Sequence, residues 1–474
     1  MAASYVFYAF VGLQLFVYIL TTTLTVYLGG LYLNKASRPT IIIWLVVLLN
    51  FGILASFKWW NTFAFYTNTL FAVYTSNSEL LPFNSLLLPL GISFYTFQAV
   101  GYLLDVYRGI AKPERNIAKF ALFLSFFPQL IQGPISRHRE LSAQLYASRK
   151  FNHIDALHGF QLMLWGLIKK LVIADRIFLT VTTIFANSDE YKGLYVLIGI
   201  TVHVIWLYMD FSGGVDIARG VGQMFGIILP QNFIRPFFSK TMPEYWRRWH
   251  CTLNDWWRDY LFYPLLRSKS MTKLGRFVRK NISDGFGKMI GIYICIVVVR
   301  VVNAMWHGAD AYFIAEGLYF GIIIVLGIAL APVFKKIIKA TRINTGKLSW
   351  KVFQIIRTFV LVCISRIFMA TAGVVSGIAA LSSVIRDFNP SILFHRSTYL
   401  IGLNRFDALV VIISLLVVFV VEVLQENGMA VRKTLVKQNI AFQWLVMLIG
   451  LWAVLIFGHY GIGYDPAAFV YMGF

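Results

Sequence analysis

Charge is scarce in this chain. Of its 474 residues, 14% are Asp, Glu, Lys or Arg, against roughly 25% in an ordinary soluble domain. Hydrophobic residues make up 58%, and the mean hydropathy is +0.68. No soluble core hides that much apolar surface, so an ordinary cytosolic enzyme is excluded. Cysteine is scarce too: Cys251, Cys295 and Cys363 are the whole set. Their odd number and the lack of a CxxC pair exclude a disulfide framework and a structural zinc site. A P-loop, an HExxH helix, a paired-carboxylate motif and a G-x-S-x-G elbow are all missing. There is no internal repeat and no low-complexity tract.

Long apolar runs are abundant instead. They fall near 5–31, 40–57, 84–104, 117–135, 157–184, 193–212, 288–306, 311–333, 352–384, 405–425 and 441–459. Runs of this length read as membrane spans, which predicts about eleven membrane helices in an all-α, polytopic integral membrane protein. A shorter stretch at 60–76 reads as interfacial or re-entrant. The first run lacks a basic leader and a small-residue cleavage site, so it reads as a first span and not as a signal peptide. One integral-membrane domain over 1–474 is expected.

Lys and Arg number 43 against 21 Asp and Glu, for a net charge of +22. Nucleic acid is one partner for such a balance, but beside so many spans it reads as basic cytoplasmic loops at anionic headgroups. Lys335, Lys336, Lys339, Arg342, Lys347 and Lys351 form one cluster. Arg432, Lys433 and Lys437 form another, with Lys35 and Arg38 a smaller third. The positive-inside rule puts all of them in the cytoplasm. The segment 235–288 should lie there too, with eleven Lys/Arg between Arg235 and Lys280. Both termini are then predicted to be extracytoplasmic, in a plasma or inner membrane.

Two clusters carry chemistry. The first runs from Pro243 through Glu244, Tyr245, Trp246, Arg247, Arg248, Trp249 and His250 to Trp256, Trp257, Arg258, Asp259 and Tyr260. Thr241 followed by Glu244 fits a capping box, and Pro243 suits a first helical turn. On one continuous helix, Trp246, Trp249, Leu253, Trp256/Trp257 and Tyr260 share a face. That reads as an interfacial amphipathic helix with Trp anchors at the headgroups. His250 sits beside the aromatic face, as a structural histidine or a functional one. The second cluster is Asn303-Ala304-Met305-Trp306-His307-Gly308. Asn303 and His307, four apart, face the same way on a helix. An imidazole at membrane depth is costly and suited to proton transfer near neutral pH. A satisfied bundle histidine is the plainer alternative. Asp210, Ser212 and Glu316, also in apolar context, either line a polar cavity or act as helix-packing glue. Two histidines without a nearby carboxylate or Cys pair do not suggest a metal.

These segments together resemble the membrane-bound O-acyltransferase family. "FFPQLIQGPISRHREL" (126–141), "YMDFSGGVDIARGVGQMFGIILPQNFIRPF" (208–237), "YWRRWHCTLNDWWRDYLFYPL" (245–265) and "MWHGADAYFIAEGLYFG" (305–321) carry the resemblance. "SRIFMA" (365–370) and the terminal "FVYMGF" (469–474) point to its alginate O-acetyltransferase branch. The related D-alanyl branch shares both histidine segments. The resemblance implies a bowl of helices around a central tunnel, with the family histidine at His307 and its second histidine at His250. It further implies transfer of an acyl group, by first choice acetyl, from a cytoplasmic thioester to a hydroxyl of an extracytoplasmic polysaccharide. An SGNH-type partner protein often completes that transfer. The co-substrate is acetyl-CoA or an acyl-carrier thioester; no bound cofactor and no nucleic acid are expected.

The mechanism expected from this reading makes His307 the general base on the acceptor hydroxyl. Asn303 orients it, and Trp306, Trp249, Asp210 and Ser212 line the tunnel. Arg247, Arg248 and Arg258 attract an anionic donor. D-alanyl transfer to teichoic acid is the alternative within the family. A transporter using His, Asp and Glu as a proton relay, or a scaffold in which both histidines are dispensable, are the alternatives outside it.

Overall fold

A backbone crossing hydrocarbon has to satisfy its own N–H and C=O groups, and helices do so within one segment. In the computed structural model every regular element among the described residues is helical. Those residues are 1–461 apart from 11, 34, 75–79, 85–88, 396, 397 and 399. The principal helices are α1 (Phe16–Tyr32), α2 (Pro39–Tyr74), α3 (Ile92–Tyr107), α4 (His153–Leu167), α5 (Asp175–Ala186) and α6 (Leu194–Met224). After them come two short helices, α7 (Met242–Arg248) and α8 (Cys251–Trp257), and the amphipathic α9 (Lys269–Asn281). The chain continues as α10 (Asp284–His307), α11 (Ala311–Ala329), α12 (Leu348–Ala370), α13 (Arg405–Glu426) and α14 (Ile440–Phe457).

Among the described residues, seven helices are long and apolar enough to cross a membrane: α2, α6 and α10 to α14. Helices of this number, length and apolarity are those of a multi-pass membrane protein. The helix count differs from the hydropathy reading for physical reasons. The runs at 40–57 and 60–76 are one helix, α2. The run at 117–135 breaks at Phe126, two residues before Pro128, into two short helices. The run at 5–31 breaks at Gly12, whose φ is 151°. The terminal 469–474 motif lies outside the described residues.

Small residues set a close contact between α4 and α6. A Cβ built on Gly166 would sit 2.5 Å from the Gly213 carbonyl oxygen, and one on Gly159 would sit 2.6 Å from that of Gly220. Backbones of α4 and α6 therefore touch, as small-residue faces allow in membranes. A π-helical turn, Ile168–Ala174, joins α4 to α5. It brings the adjacent Lys169 and Lys170 both to bear on α6. Helices α10 and α11 form an antiparallel hairpin, with Gly317 against Val301 and Ala304 and Gly321 against Val297. That pairing places the start of α10, the basic α9 and the basic 335–351 segment at one end of the bundle.

The Trp-rich segment is the main departure from expectation. Trp246, Trp249, Trp256 and Trp257 are all buried. They divide between two cores, one with Phe211, Phe233, Phe320 and Ile367, the other with Phe97, Leu253 and Trp306. They pack inside the protein and do not serve as headgroup anchors. Nor is the helix continuous. It stops at Arg248, and His250 takes a left-handed conformation (φ 46°, ψ 52°) before α8 begins. Asn232 explains the break. Its backbone oxygen accepts from the Cys251 N–H at 2.9 Å, and its Oδ1 from the Thr252 N–H at 3.1 Å. The Ile234 N–H bonds the Arg248 carbonyl at 2.9 Å. These contacts replace the helical hydrogen bonds that would otherwise run through Trp249 and His250.

Candidate functional site

His307 is the last residue of α10, and Gly308 after it is extended. A Cβ on Gly308 would collide with the Phe313 ring at 2.3 Å, so glycine lets the chain turn tightly into α11. The carbonyls at a helix C-terminus lack intrahelical donors. Here α2 supplies them: Lys58 Nζ donates to the Trp306 oxygen at 3.0 Å, and Trp59 Nε1 to the Met305 oxygen at 2.9 Å. The Lys58 ammonium also lies 4.8 Å from the Trp306 ring centroid. The last turn of α10, and with it His307, is thereby held from a helix 248 residues earlier in the chain.

His250 lies at the same place. Its Nδ1 is 3.2 Å from Asn232 Oδ1, and Phe211 meets the ring edge-on at 4.8 Å. The Trp306 indole neighbours both imidazoles, 6.1 Å from His250 and 4.5 Å from His307 by ring centroids. Both histidines line one narrow cavity of about 20 Å³, with Asn303, Arg300, Glu316 and Arg366 also in its wall. Glu316 Oε1 and Arg366 Nη1 form a buried ion pair at 2.5 Å. Trp249 and Trp246 complete the aromatic side of the wall.

The remaining sequence candidates fall elsewhere or have other work. Asn303 does line the cavity, but its Oδ1 accepts from the Trp257 indole at 2.9 Å. Asp210 is fully buried in an ion pair with Lys170 at 2.5 Å. Ser212 accepts from Lys169 Nζ at 3.0 Å, and the same amine pairs with Asp216 at 2.6 Å. Asp210 and Ser212 thus belong to the ion network between α6 and the π-helical turn and are not among the residues lining the cavity. Arg248 bonds both oxygens of Glu426 at 2.9 Å and also pairs with Glu244 at 2.8 Å. Arg247 is exposed. Arg258 pairs with Asp255 and Asp259 on the rim of a second, larger and more open cavity of about 490 Å³. Arg108, Arg137, Arg139 and Arg267 share that rim, which lies on the other side of α8 from the histidines. Cys251, next to His250, is held as a neutral thiol. Burial pushes its thiol up to about 12, and its Sγ donates to the Arg247 carbonyl. Among the described residues no cluster of three His, Cys, Asp or Glu could hold a metal ion.

The family model for membrane-bound O-acyltransferases matches residues 111–279, a stretch that includes His250 and the Trp-rich helices. A probable alginate O-acetylase of Pseudomonas syringae pv. tomato is 33% identical over 369 residues, covering 76% of this chain and 64% of the relative. One from Azotobacter vinelandii is 34% identical over 336 residues, covering 68% and 61%. The chain belongs to the membrane-bound O-acyltransferase family. A peptidoglycan O-acetyltransferase of Helicobacter pylori is 30% identical over 350 residues, covering 68% of this chain and 62% of the relative. The chain thus spans a little under two thirds of the length of these curated relatives.

Within this O-acyltransferase fold, several site residues escape the sequence reading. Asn232 gives no signal of its own, although it sets His250. Lys58 and Trp59 lie unremarked between the runs at 40–57 and 60–76. Arg300 is spaced seven before His307, on the same helical face, and that periodicity is the signal available for it. Arg366 enters the sequence reading only as part of a motif string.

Proposed function

We propose that this chain moves an acetyl group from a cytoplasmic thioester to a hydroxyl of an extracytoplasmic polysaccharide, with His307 as general base. The observation that carries this reading is the convergence of His250 and His307 on one indole and one cavity. The imidazole of His307 takes the proton of the acceptor hydroxyl as its oxygen attacks the thioester carbon. A C–O bond forms and the carbonyl becomes an oxyanion. The C–S bond then breaks, and the leaving thiolate takes the proton back from the imidazolium. Two guanidinium groups and one carboxylate give the cavity wall a net positive charge. Exclusion of water protects the thioester from hydrolysis. His250 lines the path of the donor, and the arginine-rimmed outer cavity suits the phosphates of coenzyme A or of a carrier-bound phosphopantetheine.

The alginate and peptidoglycan relatives support acetyl as the group moved and a saccharide as its destination. An SGNH-type partner that receives the acetyl group first belongs to the same reading. So do cytoplasmic placement of the arginine-rimmed cavity and an extracytoplasmic N-terminus.

The test is a purified protein in nanodiscs offered radiolabelled acetyl-CoA, wild type against His307→Ala. Histidine-dependent label transfer or thiol release is the expected result. Full activity in a folded His307→Ala protein overturns the base assignment. Turnover with a D-alanyl carrier thioester and none with acetyl-CoA replaces acetyl by D-alanyl.

A further inference from the structure

Arg300 stands two turns before His307 on α10, buried in the cavity wall. Its guanidinium is held on two sides. Nη2 donates to Asn254 Oδ1 at 2.9 Å, and the plane lies over the Trp246 ring at 4.2 Å. Asn254 is itself fixed, donating to the Trp249 and His250 carbonyls at 2.7 and 3.1 Å. The other terminal nitrogen, Nη1, is buried and has no hydrogen-bond partner among the described residues. No carboxylate among them forms an ion pair with Arg300, whereas Arg366 in the same wall has Glu316. A buried cationic N–H without an acceptor is costly in the resting protein. Its anchored neighbours prevent it from swinging away to find one.

We propose that Arg300 Nη1 binds an amide carbonyl on the extended arm of the thioester donor, and so places the thioester carbon at His307. This rests on the thioester-donor reading above. The spacing selects the carbonyl. Seven residues of helix separate Arg300 from His307 by about 10 Å along the axis. On a pantetheine arm the first amide carbonyl lies five bonds from the thioester carbon and the second lies nine. Nine bonds of extended chain span about 10 Å, since three bonds reach roughly 3.5 Å. The second amide therefore falls level with Arg300 when the thioester is level with His307. The same distance separates Arg300 from the oxyanion, so its part is binding the arm and not stabilising the reacting carbonyl.

Two small donors separate these roles. S-acetyl-pantetheine carries both amides, and S-acetyl-N-acetylcysteamine carries only the first. Thiol release is measured for each with the nanodisc protein. The wild type should favour S-acetyl-pantetheine in kcat/KM by about ten- to hundredfold, the range for one charge-assisted hydrogen bond. In Arg300→Met that preference should collapse to within about twofold, mostly through KM. A preference that survives in Arg300→Met overturns the proposal. Equal loss on both donors overturns it too, and moves Arg300 to the reacting carbon. If the wild type cleaves neither thioester, the donor reading itself falls and takes the subsite with it. Should Arg300→Met fail to fold, Arg300→Gln carries the same comparison: it retains a donor for Asn254 but removes the charge and the fork.

Discussion

At the residue scale, the two histidines differ in what holds them. His307 is set by the end of a helix; His250 is set by one side chain, Asn232, which also accepts from the Thr252 N–H and hydroxyl. Asn232→Ala strips acceptors from all of these buried groups. It should cost about 1–3 kcal/mol of stability, read as a lowered Tm in detergent, and should weaken acyl transfer along with it. His307→Ala should leave Tm near that of the wild type and lower kcat by about 10²–10⁴, the range for a lost general base. His307→Gln keeps size and hydrogen bonding but cannot carry the proton, and should be as inactive as the alanine variant.

The helices add what no single residue supplies. The final carbonyls of α10 are capped from α2 by Lys58 and Trp59, so α2 holds the helix end that carries His307. Trp59→Phe removes one of those donors and keeps an aromatic ring. It should lower kcat by roughly tenfold with KM little changed, because it loosens the base and not the donor. Much at this scale is legible in the sequence. Most of the apolar runs, the Asn303/His307 spacing and the Thr241 cap stand in the structure, the last with Thr241 Oγ1 accepting from the Glu244 N–H at 3.2 Å. The break at His250 is not legible, because capping and periodicity both favour a continuous helix there. A loop residue eighteen positions earlier overrides them. Asp210 and Ser212 read as tunnel residues for a similar reason. Polar groups on an apolar helix advertise a need for partners, and their lysines lie 40 and 43 positions away on a π-helical turn that hydropathy does not register.

For the whole molecule, the antiparallel α10–α11 pairing and the placement of α9 gather the basic segments at one end, as the charge pattern requires. Single cysteines introduced at Lys347 and at Ala3, both exposed, on a background without the native three, should label from opposite faces of sealed vesicles. Labelling of both from one face would reverse the assigned N-terminal orientation. The carboxylate of Glu426 ties this end together, bonding Arg235 at 2.8 Å and Arg248 at 2.9 Å. Glu426→Gln leaves two guanidinium groups with a weaker acceptor, and should lower stability by about 1–2 kcal/mol.

The last two long helices are joined to the rest of the chain in a way that permits their separation from it. Asp407 pairs with Arg176 at 2.7 Å, and Arg176 also donates to the Phe457 carbonyl. Glu422 accepts from Tyr208 at 2.5 Å, and Arg432 donates to the His158 carbonyl and Gln223 at 3.2 Å. Each of these bonds fixes α13, α14 or the turn between them against α4 to α6, and none depends on the peptide that leads into α13. Two polypeptides, one ending near Pro390 and one beginning near Leu403, should therefore find each other in the bilayer when co-expressed. They should copurify through a tag on either piece and restore the activity of the uncut chain.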